Sequence, residues 1–129
     1  YAHQVGVELA DVLHRQGKDD EAERLLNGLL DGLSSAHSAV HEAGAHRLLG
    51  LIAERRHDDE EAQGRYTTAM RLLESAGAAG DLADICQLLG DLLRRTGSVE
   101  AALDAYRVGL SLRAAPGTTT LGPAPAKPF

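Results

Sequence analysis

Three arginines in this 129-residue sequence stand one fixed interval apart: Arg15, Arg55 and Arg95. A guanidinium is a planar fork of donors that fits the oxygens of a carboxylate or phosphate two at a time. Forks repeated at one spacing could read an acidic partner. The plainer use is that a cation near a helix C-terminus complements the negative end of the helix dipole. The histidines are the next candidates. His37 and His41 are four apart, a spacing that a helix places on one face and that a metal can use. His46 follows five later, about 140° further around a helix, and no acid or cysteine completes a ligand set. No metal or other cofactor is expected, and the cluster reads as solvated or partly packed. Cys86 lies among Ile85 and Leu89 and reads as a small buried hydrophobe. Gly77, Gly80 and Gly117 are spaced as turns and not as a loop that cradles phosphate. No Ser/His/Asp set and no paired carboxylates stand out, so the chain is not expected to be an enzyme.

Composition limits the elements that can carry these residues. The sequence is 43% hydrophobic and 25% charged, as befits a folded chain. Aromatics make up 3%, with no Trp and one Phe, so the core must be Leu, Ala and Val. That favours close-packed helices, and β-branched residues do not cluster into strand patterns. A formal net charge of -6 argues against direct nucleic-acid binding. A single cysteine fits a reducing compartment. No apolar run approaches a membrane span, and no basic segment followed by an apolar one suggests a signal peptide. A cytoplasmic location is expected. The start at Tyr1 rather than Met points to a piece of a longer chain.

The strongest organising signal is internal repetition. Leu49, Gly50, Ala62, Tyr66 and Ala69 return forty residues later as Leu89, Gly90, Ala102, Tyr106 and Gly109. Forty residues earlier they read Leu9, Ala10, Ala22, Leu26 and Leu29. Gly17 and Gly97 are two periods apart, with His57 between them. Each copy reads as two helices. Val5, Leu9, Val12 and Leu13 form the apolar stripe of the first, and Leu82, Ile85, Leu88, Leu89, Leu92 and Leu93 that of the fifth. Acids at Asp19 to Glu21, Asp58 to Glu61 and Glu100 open the second helix of each pair, facing the positive end of its dipole. The predicted helices span 3–16, 19–33, 38–56, 59–75, 81–96 and 98–113. Small residues at 10, 50 and 90 and at 22, 62 and 102 let paired helix axes approach, with Tyr66 and Tyr106 as large knobs beside them.

This arrangement resembles the tetratricopeptide repeat. The pattern of Leu-Gly, loop Gly, Ala, aromatic and Ala matches Leu89, Gly90, Gly97, Ala102, Tyr106 and Gly109, and in the middle copy Leu49, Gly50, Ala62, Tyr66 and Ala69. The first copy departs from it at Ala10 and Leu26. The period is longer than usual, with the extra residues around Ser34 to Ser38 and Ala76 to Gly80. The resemblance implies an all-α fold, a right-handed α-solenoid of three helix-turn-helix repeats (residues 1–36, 37–76 and 77–115) with six helices. Longer-period versions are similar to repeat arrays attached to bacterial signalling and transcription regulators.

The resemblance also implies where a partner sits, since the first helices of each pair line the inner face of such a solenoid. The candidate positions are Gln4, Asp11, His14 and Arg15, then Arg47, Glu54 and Arg55, then Asp84, Gln87, Asp91, Arg94 and Arg95. The family's carboxylate clamp needs Lys and Asn at positions that here hold Val7, Arg47 and Gln87, then Asp11, Leu51 and Asp91. That clamp is absent. The expected function is a protein or peptide interaction module of a larger bacterial regulatory protein. The alternatives are a self-association domain and a ligand-sensing domain of a transcription regulator. No polar helix follows the third pair, so Leu103, Val108 and Leu112 are expected to be exposed, as a route to a homodimer. The tail, residues 116–129, is rich in Pro, Gly and Thr and should be extended or disordered.

Overall fold

The computed structural model describes the backbone of residues 2–32 and 39–114, and the side chains of 5–31 and 39–113. His37, the insertion at Ser34 to Ser38 and the tail lie outside the described residues. The described residues form six helices: α1 (Ala2–Arg15), α2 (Asp19–Gly32), α3 (Ala39–Arg55), α4 (Asp59–Ala76), α5 (Ala79–Arg95) and α6 (Val99–Ala114). No strand occurs among the described residues. Among the described residues no helix is long and apolar enough to cross a membrane. The helices fall into two compact units, Tyr1–Ala76 with α1 to α4 and Gly77–Phe129 with α5 and α6.

The turns between paired helices are the same object built three times. After α1, the Lys18 N–H donates to the Leu13 carbonyl at 2.8 Å and the Gly17 N–H to His14 at 3.0 Å. After α3, Asp58 donates to Ala53 at 2.8 Å and His57 to Glu54 at 3.0 Å. After α5, Ser98 donates to Leu93 at 2.8 Å and Gly97 to Arg94 at 3.2 Å. This nested pair of bonds satisfies two of the last free carbonyls of a helix and requires a left-handed residue within it. Gly17 and Gly97 take φ of 79° and 92°, and His57 is forced to 60°. The next helix starts at once, since Ala22, Ala62 and Ala102 donate back to Lys18, Asp58 and Ser98. At α4 the Asp58 side chain also accepts the Glu61 N–H at 3.2 Å, as a capping acid does.

Small-against-large packing holds each pair. Ala10, Ala22, Ala62, Ala69 and Ala102 are buried. Tyr66 lies flat over Gly50: a Cβ on Gly50 would stand 2.7 Å from Tyr66 Cδ1, closer than carbon atoms approach. Gly90 and Tyr106 repeat the contact at 2.6 Å from Cε1. The glycines are therefore seats for the tyrosine rings. Tyr66 is fully buried, and its equivalent Leu26 fills the same place in the first pair.

Within the first unit α3 lies in the groove between α1 and α2. Ala45, Leu48, Leu49 and Ile52 of α3 share one apolar cluster with Ala10, Ala22 and Leu26, flanked by Val7, Leu13, Leu25 and Leu30. Burying each large aliphatic chain is worth about 1.5–3 kcal/mol, so this seam holds α3 to the first pair. α1 departs from expectation. Its stripe exists, but Val5, Leu9 and Val12 face solvent, and the helix packs inward through Val7, Ala10 and Leu13. The apolar residues of α1 outnumber those its neighbours cover, and periodicity alone cannot tell the two faces apart.

Candidate functional site

The first unit places its candidate residues along the seam between its two helix pairs. Arg55, at the end of α3, reaches back to the preceding turn. It donates to the His14 carbonyl at 3.0 Å and to Asp19 Oδ1 at 3.2 Å, and its other nitrogen lies 3.3 Å from His14 Nε2. His14 Nδ1 sits 2.9 Å from the same Asp19 oxygen. Because Arg55 can only donate, His14 Nε2 accepts and Nδ1 carries the proton toward Asp19. Arg56 continues the joint, with bonds to Glu23 at 2.9 Å and to Asp20 at 2.5 Å. The bond to Glu23 is the chief reason its guanidinium holds its proton more firmly than usual. The acids that open α2 thus serve two purposes: they face the α2 dipole and they receive the end of α3.

This geometry redistributes the expected basic row. Arg55 is a joint residue. Arg15 turns onto Asp11 of its own helix at 2.7 Å. Glu54 accepts the Tyr66 hydroxyl at 2.5 Å, which ties α3 to α4 from above the Gly50 seat. In the second unit Asp91 accepts the Tyr106 hydroxyl at 2.5 Å, and Arg94 Nε donates to that hydroxyl oxygen at 3.3 Å. This hydrogen bond to Tyr106 is the chief cause raising the Arg94 pKa. Asp84 pairs with Arg113 across α5 and α6 at 2.6 Å. Arg95 is exposed at the end of α5. The Gln4 side chain lies outside the described residues.

Two candidates differ from the rest. Arg47 on α3 and Gln87 on α5 occupy the same repeat position, and among the described residues neither has a hydrogen bond or ion pair within the chain. Arg47 is half-buried, which costs a guanidinium part of its hydration without giving it a partner. Gln87 is exposed on the wall of a groove of about 410 Å³ between α5 and α6, floored by Ala83, Tyr106 and Gly109 and edged by Leu110 and Arg113. The sequence reading missed this groove. Gly109, which stands where the other copies have Ala69 and Leu29, lines the groove, but the place of its missing Cβ is closed by Cys86 and the Ala83 carbonyl, so its recurrence carried no sign of a hollow.

His46 sits on α3 with Arg65 Nη1 3.2 Å from its Nδ1. Burial, then the Arg65 charge, push its pKa below the usual value. His41, His46 and the neighbouring acids form no group suited to a metal among the described residues. Cys86 is buried in α5, with its Cβ 3.3 Å from where a Cβ on Gly109 would stand. Of the residues expected at the open end of α6, Leu103 and Val108 are exposed, while Leu112 is half-buried and Leu110 takes its place.

The sequence matches no family model, and no curated protein is significantly similar to it.

Proposed function

We propose that the chain is a peptide- or protein-binding module built of three tetratricopeptide-like repeats in a right-handed solenoid, and that it acts by binding and not by catalysis. The observation that carries this reading is Arg47. Other charged candidates on α1 and α3, such as Asp11, Arg15 and Arg55, are matched within the chain, whereas Arg47 is half-buried and unmatched among the described residues. A guanidinium in that state favours a ligand that brings its own carboxylate, because the bond is charge-assisted and replaces lost hydration. The expected ligand is an acidic side chain or the free C-terminus of a peptide. The absence of the Lys and Asn clamp positions means that such recognition rests on an Arg fork at residue 47. The three matching turns, the Gly–Tyr seats and the seating of α3 on the first pair support the repeat assignment. A place in a bacterial regulatory protein follows from the resemblance alone.

The test is selection from a random peptide display library, with the chain and its Arg47→Glu variant as baits. Enriched peptides should carry an acidic residue or need a free C-terminus. Their affinity for R47E should fall by about tenfold or more, the worth of one hydrogen bond to a charged group. If no peptide is enriched, or R47E binds the same peptides equally well, the reading is wrong.

A further inference from the structure

We infer that a second copy of this chain docks head-to-tail: the exposed stripe of α1 in one copy fills the α5–α6 groove of another. The inference is independent of the peptide reading and rests on register. Val5, Leu9 and Val12 of α1 are 54%, 52% and 46% exposed. Forty residues on, the same positions are Ala45, Leu49 and Ile52 of α3, which are 1%, 3% and 1% exposed. Those three α3 residues are members of the cluster that α3 shares with α1 and α2. So α1 carries, uncovered, the apolar face that α3 uses to seat itself on a helix pair.

The receiving surface has the same correspondence. The first pair presents Val7, Leu26 and Leu30 to α3's cluster. Two periods on, these positions are Gln87, Tyr106 and Leu110, and all three line the α5–α6 groove. Leu110 is 68% exposed, the most exposed large hydrophobic residue described. Stripe and groove are thus the two halves of an interface that the first unit already contains in assembled form. An α1 helix placed in the groove in the register of α3 brings Leu9 and Val12 onto Tyr106 and Leu110.

The charges at the two joints differ, and this gives the inference a second handle. The α3 joint is closed by Arg55 and Arg56 on Asp19, Asp20 and Glu23. At the equivalent positions a joint between copies would place Arg15 and Gln16 against Val99, Glu100 and Leu103. Val99 and Leu103 are exposed apolar residues where the first pair has acids. The joint between copies is therefore chiefly apolar, and added salt should not weaken it. A heterologous contact of this kind does not close on itself in a pair, so association continues past the dimer or ends in a ring.

The experiment is sedimentation velocity of the chain over a wide concentration series, with the variants Leu9→Glu and Leu110→Glu. Both positions face solvent, so circular dichroism should show unchanged helicity. The wild type should form species larger than a dimer at high concentration, with no loss in high salt. Each variant alone should be monomeric, its dissociation constant raised about a hundredfold or more by a carboxylate set against apolar groups. An equal mixture should form a one-to-one dimer and stop there, because L110E keeps the stripe and L9E keeps the groove. A wild type that stays monomeric overturns the inference. So does self-association that survives in either variant alone, which would mean a symmetric contact through α6 or through α1.

Discussion

At the scale of single residues, charge in this chain mostly serves its own architecture. Tyr66 with Glu54, and Tyr106 with Asp91, place a hydroxyl–carboxylate bond above each glycine seat. Hence two of the carboxylates on the first helix of a pair, read from sequence as ligand-facing, are also bonded to the second helix. His46 offers the sharpest test of the local electrostatics. It accepts from Arg65 through Nδ1, so a proton arriving there must break that contact and charge a partly buried ring beside a guanidinium. Its folded pKa lies below the ordinary 6.5, so the neutral form is the stabilising one. The resulting stability is complete above that ordinary value and is lost as pH falls through it toward the lowered folded value. The midpoint of urea unfolding should therefore decline as pH falls below about 6.5. His46→Gln should flatten that decline, and an equal slope in the variant would show that other groups are responsible. Arg47, by contrast, was marked by sequence only as one position among twelve. Its distinction is the lack of a partner among the described residues, which depends on where each neighbouring carboxylate turns.

At the scale of elements, the turns after α1, α3 and α5 show how the repeat is written in the backbone. All three need a left-handed residue, and two have glycine. A side chain at that conformation costs about 1 kcal/mol or more, so His57→Gly should stabilise the first unit by roughly 1 kcal/mol, less the entropy glycine adds to the unfolded chain. His57→Ala should change little, because alanine carries the same Cβ. Thermal or urea unfolding of the two variants checks this, and a destabilised H57G would mean that the imidazole makes a contact that outweighs the strain. Helix positions were legible because their signals are local: acids at starts, glycines after ends, apolar residues three and four apart. All six helices fall where the pattern put them, with no end moved by more than two residues. The two faces of α1 were not legible. Val5, Leu9 and Val12 have the spacing of a buried stripe, and only neighbouring helices decide whether that stripe is covered. The role of Arg55 was hidden for a related reason. A period fixes where a residue sits on its helix, but Arg15 and Arg55 have different neighbours, Asp11 for one and the acids of α2 for the other. The pairing of Arg56 with Asp20 and Glu23 left no trace in the recurrence, because Gln16 and Thr96 stand at its equivalents.

At the scale of the molecule, the first unit contains its own apolar seam, formed entirely by residues between Val7 and Ile52. A fragment of residues 1–76 should accordingly keep its helicity and melt in one cooperative transition, as repeat pairs with a shared interface do. A broad, gradual loss of ellipticity on heating would show that the seam is insufficient. The seam and the charged joint lie at different places on the same contact between helix pairs. The apolar part tightens in salt, whereas the exposed ion pairs of Arg55 and Arg56 are screened within about 3 Å at 1 M salt. One edge of the contact therefore stiffens while the other slackens. Raising the ionic strength should loosen this contact first at its charged edge, with the apolar seam still closed.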